Sequence, residues 1–426
     1  MGSKLALFGG KPIREKPFPP YISIGEEEKK AVMEVLDTGI LSNFYGSSDP
    51  RFYGGDRVQK VEREWEEYFG VKYAITVNSA TSGLYTAVGA VGVEPGDEVI
   101  LPPSTMSATA SAILVYGAIP VFVDVQDDIF CIDPKKIKEA ITSRTKAIMV
   151  VHLWGHPARM DEIMEIARKR NLVVIEDNAQ APGGTYKGKY NGTIGDIGIF
   201  SLNCHKTIQS GEGGVIVTND ENFAMRSQLI RNHGENVVED MGIKNLSNMI
   251  GWNYRMTEME AAVASEQLKK LDSLNEARIE LADYLTEHLS GIDGLTPPVV
   301  LPGCKHVYYT YSMKFNEEKT GISRNSFLKA LSAEGIPFVP GSQPLYMLPM
   351  FQKKICFGSN GYPFKSPYYT GDVSYEKGIC PVAERLADKE FFLSEICRPP
   401  CTKKDMDDII NAIQKVLECK DELKED

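Results

Sequence analysis

Two patterns of apolar and polar residues alternate along the first 180 residues and predict helices and strands in turn. Residues 26–36 and 58–69 repeat apolar side chains at the spacing of one helix face, with charged residues between them. Other runs are apolar throughout and predict buried strands at 74–77, 98–101, 121–125, 147–152 and 172–176. Helical patterns lie between these runs, at 82–91, 108–116, 134–142 and 160–168. Strands without a polar face, joined by helices, indicate an α/β fold whose mainly parallel sheet is covered on both faces.

The pattern changes beyond residue 199. Residues 199–202 and 215–218 predict two short strands around a glycine-rich turn. Residues 258–289 predict a long, interrupted helix that leads into a second domain, and residues 404–417 predict a closing helix. Between them, residues 341–378 are rich in Pro, Gly and Tyr. The C-terminal part of the chain is therefore predicted to form a smaller α+β domain.

Length, charge and cysteine usage exclude several classes of protein. A chain of 426 residues exceeds the roughly 250–300 at which a single core stops growing. We therefore expect a large domain with an N-terminal arm over residues 1–270 and a small domain over residues 271–426. The net charge of −11 disfavours binding to nucleic acid or an anionic membrane, and no apolar run reaches the ~18 residues of a membrane span. Eight scattered cysteines without a CxxC pair indicate reduced thiols in the cytoplasm and no metal site.

Small hydroxyl residues join the first predicted strand to the next helix in the segment Asn-Ser-Ala-Thr-Ser-Gly, residues 78–83. Backbone N–H groups at a helix start, with the hydroxyls of Thr81 and Ser82 beside them, suit a phosphate group. An ordinary helix N-cap is the simpler explanation of the same residues. This segment alone therefore does not establish a phosphate site.

A second polar segment follows the strand predicted at 172–176. Asp177 stands at the carboxyl end of that strand, where open α/β sheets bind ligands, and can pair with a cationic ring nitrogen. Gln180, three residues later, can hydrogen-bond a nearby oxygen. An aspartate that caps the next turn is an equal alternative for Asp177.

The third segment is Phe-Ser-Leu-Asn-Cys-His-Lys at residues 200–206, followed by Gly-Glu-Gly-Gly at residues 211–214. Lys206 lies between an apolar strand and a glycine-rich turn, which predicts a loop close to the core. A lysine desolvated there has a lowered pKa and can form a Schiff base. A lysine in a polar loop is otherwise a solvated surface residue, and both interpretations remain open on this segment alone.

A polar and aromatic segment, residues 251–258, opens the long predicted helix. Thr257 and Glu260 have the spacing of a capping box, which is a sufficient structural explanation for those two residues. Asn253 and Arg255 are left without a structural explanation.

Histidines and tyrosines elsewhere have simpler structural explanations. His152 and His156 are spaced i, i+4 without a glutamate between them and in a strand–loop context, so a structural loop is predicted rather than a zinc site. Five tyrosines can line a substrate mouth or pack the domains together. They are Tyr308, Tyr309, Tyr346, Tyr368 and Tyr369.

Five motifs, taken in order, resemble those of the DegT/StrS-type sugar aminotransferases. The motifs are NSATSG, EDNAQAPGGTYKGK, GDIGIFSLNCHKTIQSGEGG, RNHG and GWNYRMTEMEAA. The likeness runs from about Phe8 to the closing helix. It implies an aspartate-aminotransferase-like fold of type I and the cofactor pyridoxal 5′-phosphate, with pyridoxamine 5′-phosphate as its aminated form.

The resemblance also assigns roles to individual residues. Lys206 matches the family's Schiff-base lysine, Asp177 the acid that keeps the pyridine nitrogen protonated, and Gln180 the residue near the phenolic oxygen. The phosphate-binding positions match Thr81, Ser82 and Ser201. Asn253 matches an asparagine that reaches the phosphate from the neighbouring subunit, so the resemblance implies a homodimer with shared active sites.

One position departs from the family's pattern. Family members usually stack an aromatic side chain on the cofactor ring from a segment like PSFTFVATANAI. This chain has Pro-Ser-Thr-Met-Ser-Ala-Thr-Ala from residue 103, which places Met106 at the aromatic position. A thioether can pack on a π-face, so cofactor binding is expected to survive.

The resemblance implies a ping-pong transamination. The amino group would pass from glutamate or glutamine to a keto-sugar, nucleotide-linked, or to a keto-cyclitol. A dehydratase branch of the family has histidine in place of the lysine; here His205 is one position early and Lys206 is present, which favours transamination. A dehydratase that uses the same cofactor stays an alternative. A non-catalytic regulatory homologue would be expected to lose Lys206, so the intact pattern disfavours it.

Overall fold

The computed structural model describes residues 4–424. Its strands, in chain order, are β1 (Tyr73–Val77), β2 (Glu98–Leu101), β3 (Ile119–Phe122), β4 (Thr145–Val151), β5 (Val173–Asp177), β6 (Thr185–Tyr186), β7 (Lys189–Tyr190), β8 (Ile197–Ser201), β9 (Gly214–Thr218), β10 (Leu295–Thr296), β11 (Cys304–Lys305), β12 (Tyr311–Phe315), β13 (Val339–Pro340) and β14 (Phe391–Ser394). Its α-helices are α1 (Glu26–Thr38), α2 (Asp56–Phe69), α3 (Ala80–Ala90), α4 (Ala108–Val115), α5 (Pro134–Ala140), α6 (Met160–Arg170), α7 (Glu221–Arg231), α8 (Glu258–Leu268), α9 (Leu271–Leu289), α10 (Glu317–Thr320), α11 (Arg324–Ala333), α12 (Pro349–Gln352), α13 (Pro381–Arg385) and α14 (Lys403–Glu418). Within these residues no helix is both long enough and apolar enough to cross a membrane.

Seven strands form the central sheet in the order β1-β9-β8-β5-β4-β2-β3. Neighbouring strands from β8 to β3 are parallel, and β9 pairs antiparallel with both β8 and β1. Every residue of β2, β8 and β9 is buried, as expected for strands covered by helices on both faces. The prediction of an α/β fold with a mainly parallel sheet is confirmed.

The predicted elements differ from the observed ones mainly at their ends. The apolar run at 121–125 forms β3 two residues earlier, at Ile119–Phe122, because β3 pairs only with β2 and the pairing stops where Leu101 lies opposite Phe122. The interrupted helix at 258–289 is two helices, α8 and α9. The predicted capping box is present at the start of α8: Thr257 Oγ1 accepts from the Glu260 N–H at 3.2 Å, and Glu260 accepts from the Thr257 N–H at 2.8 Å.

The C-terminal part of the chain builds a second, smaller unit. Strands β10, β12, β14 and β13 form a four-stranded antiparallel sheet. Its apolar side chains pack in one cluster with α9, α11 and α14, which gives the expected α+β architecture. Part of the Pro/Gly/Tyr-rich segment instead returns to the core of the central sheet, where Tyr346, Phe351 and Tyr375 are buried. The domain boundary between residues 270 and 271 stays a prediction.

Candidate active site

A cavity of about 730 Å³ lies at the carboxyl ends of β5 and β8. This is the edge of a parallel sheet where α/β proteins bind ligands. Six of the eight predicted site residues line it: Thr81, Met106, Asp177, Gln180, Ser201 and Lys206. The side chains of Ser82 and Asn253 are not part of its wall.

Asp177 ends β5 with its carboxylate buried at the floor of the cavity, only 5% exposed. Thr109 Oγ1 donates to Asp177 Oδ2 at 2.9 Å, and the Ala179 N–H donates to Oδ1 at 3.2 Å. Burial raises the pKa of the Asp177 carboxyl, while these two donors and the nearby Lys206 ammonium act to lower it. A buried carboxylate stabilised in this way suits a cationic partner in the cavity.

Gln180 is held by the backbone of the loop that follows β4. The Trp154 N–H donates to Gln180 Oε1 at 2.7 Å. Trp154 has φ = 58°, in the left-handed region, and this conformation accompanies the tight Leu153–Gly155 turn. With its oxygen engaged, Gln180 has its NH₂ group left to donate to a ligand oxygen.

Lys206 is half-buried, with its Nζ 4.5 Å from the centroid of the Tyr309 ring. Burial lowers the pKa of the Lys206 amine, and the negative charges of Asp177 and Glu395 oppose that shift. The structure thus favours the desolvated lysine over the solvated surface lysine that the sequence left open. An amine with a lowered pKa is more often neutral and nucleophilic near neutral pH.

The start of α3 forms one end of the cavity. Ser79 is the N-cap, and its hydroxyl accepts from the Ser82 N–H at 3.0 Å. Ala80 and Thr81 line the cavity, and their N–H groups have no partner within the helix because they belong to its first turn. Gly214 opens β9 against this turn, where a Cβ would lie 2.8 Å from the Ala80 nitrogen. Free N–H groups and the Thr81 hydroxyl make this end suitable for an anion.

Two other predicted phosphate ligands are placed differently from each other. Ser201 ends β8 and lines the cavity, and its hydroxyl accepts from the Asn203 N–H at 3.3 Å. The Ser82 hydroxyl points back to the helix cap, where it donates to Asn78 Oδ1 at 2.7 Å. A phosphate-binding role for Ser82 stays a prediction that this geometry does not favour.

Asn253 is exposed and does not reach the cavity of its own chain. Its Oδ1 accepts from Arg255 Nε at 2.8 Å, and its backbone bridges to Asn232. Two apolar side chains beside it are also exposed: Ile250 at 73% and Trp252 at 42%. An exposed polar and apolar segment of this kind is typical of a surface that another molecule covers.

Met106 lines the cavity with its side chain 69% exposed. It precedes α4, whose first residue is Ala108. The position therefore offers a thioether to whatever ring occupies the cavity, and stacking by Met106 stays a prediction.

Sequence reasoning missed several residues of the site, among them Thr109, Trp154 and Glu395. Thr109 lies 68 residues from the carboxylate that it binds. Trp154 contributes a backbone donor, which any residue type can supply. Glu395 follows β14 of the small sheet, far along the chain from the other site residues. Of the five tyrosines, only Tyr309 lines the cavity.

The predicted structural role of the His152–His156 loop agrees with its contacts. His152 is fully buried, bonds Glu176 through Nε2 at 2.7 Å and accepts from the Ala158 N–H at 3.1 Å. His156 Nδ1 donates to the Pro157 carbonyl at 2.7 Å, and its Nε2 accepts from the Leu301 N–H at 3.1 Å. Among the residues described, no group of three or more His, Cys, Asp or Glu side chains could hold a metal ion.

The burial of His156 predicts a loss of stability in mild acid. Burial lowers its pKa from 6.5 to about 4. As the pH falls, His156 therefore binds a proton in the unfolded chain before it does so in the folded chain. The contribution of neutral His156 to the free energy of unfolding is complete above pH 6.5 and is lost as the pH falls toward 4. We expect His156 to account for a loss of about 2 kcal/mol between pH 7 and pH 5. Urea unfolding at both pH values should show a smaller acid-induced loss for His156→Gln; an equal loss would contradict this explanation.

The hydrogen bond from Thr109 gives a second prediction. Thr109→Val keeps the shape of the side chain but removes a donor to a buried carboxylate, a bond worth ~1.5–3 kcal/mol. We expect kcat to fall by roughly tenfold. Thr86→Val is the matched control, because Thr86 is also buried but its hydroxyl has no hydrogen-bond partner among residues 4–424. Equal activities for the two variants would show that the Thr109 bond does not matter to the reaction.

The fold matches that of solved aminotransferases. The structure of the aminotransferase from Psychrobacter cryohalolentis superposes with a TM-score of 0.81 at 29% identity, covering 94% of this chain and 99% of that chain. The aspartate-aminotransferase-like fold predicted from the sequence is therefore confirmed. In this fold, Lys206 and Asp177 line the cavity at the edge of the central sheet.

Residues 23–414 match the model of the DegT/DnrJ/EryC1/StrS aminotransferase family, and the chain belongs to this family. The GDP-perosamine synthase of Caulobacter vibrioides is 37% identical to it, over 76% of this chain and 84% of that protein. The L-glutamine:scyllo-inosose aminotransferase of Streptomyces griseus is 32% identical, over 98% of each chain. The resemblance found in the sequence motifs is thus confirmed over nearly the whole length.

Proposed function

We propose that this protein is a pyridoxal 5′-phosphate-dependent aminotransferase that transfers an amino group from glutamine or glutamate to the keto group of a sugar or cyclitol. The observation that carries the proposal is that the Lys206 amine and the buried Asp177 carboxylate line one cavity. The names of the two relatives, a perosamine synthase and an inosose aminotransferase, support a sugar or cyclitol acceptor.

The groups that line the cavity fit pyridoxal phosphate. The first turn of α3 offers N–H groups and the Thr81 hydroxyl to the phosphate, and Ser201 adds a second hydroxyl. Asp177 is a buried carboxylate for the ring nitrogen, and Gln180 has an NH₂ group for a ring oxygen. Lys206 supplies the amine to which this cofactor is bonded in enzymes that use it. Each polar part of the cofactor thus has a partner of complementary charge.

The chemistry divides between the cofactor and the side chains of the chain. When bound, pyridoxal phosphate supplies an electron sink for the carbanion left when the donor loses its α-proton. Asp177 holds the proton on the ring nitrogen, which keeps that sink cationic. Lys206 Nζ acts as general base at Cα of the amino acid, and its lowered pKa leaves the amine free to accept that proton. In the second half-reaction the same amine returns a proton to the carbon of the acceptor.

We further propose that the enzyme is a homodimer, in which Asn253 of each chain contributes to the other chain's phosphate site. The exposure of Asn253, Ile250 and Trp252 supports a partner at this surface. Sedimentation should give twice the chain mass of 47.2 kDa. Asn253→Ala should weaken cofactor binding, measured by fluorescence titration; a fully active monomer would contradict the shared site.

Absorption spectroscopy tests the proposed activity. The protein reconstituted with pyridoxal phosphate should absorb in the visible or near-ultraviolet, and the band should shift when glutamine or glutamate is added. Product analysis with a keto-cyclitol or nucleotide-linked keto-sugar should then show an amine. A protein that binds no cofactor, or whose band no amino acid shifts, would contradict the proposal, and loss of a hydroxyl without gain of nitrogen would indicate a dehydratase.

A further inference from the structure

Glu395 is a charged residue of the active-site cavity that the proposed chemistry leaves without a role. It follows β14, and its side chain is 37% exposed and lines the cavity. The groups suited to the cofactor lie mainly on the side of the central sheet. Glu395 belongs to the opposite wall, which comes from the C-terminal part of the chain and also includes Tyr309 and Leu393. A substrate that reaches the cofactor from this side must pass along that wall.

The Glu395 carboxylate is fixed relative to Lys206 by a chain of contacts. Arg398 Nη1 donates to Glu395 Oε2 at 2.5 Å. The Arg398 guanidinium lies 5.4 Å from the centroid of the Tyr21 ring. Tyr21 Oη in turn donates to the backbone carbonyl of Thr207, the residue after Lys206, at 2.5 Å. The carboxylate is therefore linked, through Arg398 and Tyr21, to the loop that carries the reactive amine.

Only one oxygen of this carboxylate is engaged. Arg398 binds Oε2, and within residues 4–424 no hydrogen bond to Glu395 Oε1 is present. An ionised carboxylate accepts hydrogen bonds and donates none. The free oxygen therefore suits an NH or OH group of a substrate, and it repels a second carboxylate.

Acidic side chains outnumber lysine and arginine side chains in the wall of the cavity. Asp177, Glu212 and Glu395 line it, against Lys206 as its one lysine, and no arginine of the described chain forms part of its wall. In the proposed reaction Lys206 is the reacting amine, and Asp177 binds the ring nitrogen of the cofactor. The cation beside Glu395 is Arg398, which binds Oε2 and is not part of the wall, so an incoming side chain meets the free Oε1 of the pair and no cationic group there.

We infer that Glu395 selects glutamine over glutamate as the amino donor, by accepting a hydrogen bond from the side-chain amide of glutamine and repelling the side-chain carboxylate of glutamate. The inference rests on the proposed function and names its donor. Glutamine and glutamate differ at that one group, an NH₂ against an oxygen anion. The same free oxygen can accept from a hydroxyl of the sugar or cyclitol in the second half-reaction, so a single carboxylate serves two substrates that alternate in one cavity.

The experiment compares the first half-reaction with the two amino acids. The reconstituted enzyme is mixed with glutamine or glutamate, and the change of the cofactor band with time gives the second-order rate constant of the half-reaction for each amino acid. We expect the wild type to prefer glutamine by at least ~100-fold, and Glu395→Gln to reduce that preference by tenfold or more, mainly through faster reaction with glutamate. Glu280→Gln is the control, since Glu280 is exposed and paired with Lys403 on the surface.

The outcomes separate this inference from the proposed function. A wild-type preference for glutamate, or an unchanged preference in Glu395→Gln, would overturn the inference. An equal slowing with both amino acids, together with a shifted pH profile of the cofactor band without substrate, would show that Glu395 acts on Lys206 instead and would also overturn it. If the wild type shows no cofactor band, or if neither amino acid changes the band, the proposed function itself fails.

Discussion

Lys206→Ala is expected to abolish amino transfer, with a loss of at least ~10³-fold in kcat. The variant lacks both the amine that bonds to the cofactor and the general base, and a positioned acid or base alone contributes about 10²–10⁴-fold. Steady-state assays with glutamine and a keto-cyclitol, together with the absorption spectrum of the reconstituted protein, measure the effect. The variant should lack the absorption band of the lysine-bonded cofactor that the wild type shows.

The control for this prediction is Lys136→Ala. Lys136 is an exposed lysine of α5 that pairs with Glu139 at 2.8 Å, outside the cavity. We expect this variant to retain full activity and the cofactor band. If Lys206→Ala kept more than a few per cent of the wild-type rate, another group would have to serve as the base, and the assignment of Lys206 would be wrong.

Asp177→Asn is expected to lower kcat by roughly 10²- to 10³-fold, the cost of losing one preorganised charge in a buried site. The amide cannot hold a proton on the ring nitrogen, so the carbanion loses much of its stabilisation. Folding should be preserved, because the asparagine oxygen can accept from the Ala179 N–H, and its NH₂ group can donate to the Thr109 hydroxyl, which accepts as well as donates. The measurement is kcat alongside the midpoint of urea unfolding.

Asp161→Asn is the matched variant at the surface. Asp161 pairs with Lys187 and is 59% exposed, so its replacement removes one negative charge that is not part of the cavity wall. We expect it to leave kcat unchanged. An Asp177→Asn enzyme as active as Asp161→Asn would mean that the ring nitrogen does not need a carboxylate partner.

Local patterns were sufficient to predict the fold of the central sheet. Buried strands between helices are apolar on both faces, so periodicity alone separated β1, β2, β4 and β5 from the helices around them. The error at β3 arose because a strand ends where its partner ends, and pairing is a property of two segments distant in sequence. The return of the segment with Tyr346 and Tyr375 to the large core could not be predicted for the same reason.

The candidate site was predictable only in part. Asp177 follows the strand predicted at 172–176, so the prediction of a parallel sheet already placed it at the ligand-binding edge, whereas Ser201 was assigned to the site only through the family resemblance. Thr81 and Ser82 were predicted together, but successive residues of a helix point about 100° apart, and only Thr81 faces the cavity. Thr109 and Glu395 belong to the site because of contacts with residues that are distant in sequence, and no local sequence pattern indicates such contacts.

The central claim is that Lys206 is the residue to which pyridoxal phosphate is bonded. The most direct test is to reconstitute the protein with the cofactor, reduce it with borohydride and map the modified peptide by mass spectrometry. Reduction makes the bond to lysine permanent, so the account predicts one modified site per chain, on the peptide that contains Lys206. No modification, or stoichiometric modification of a different lysine, would contradict it.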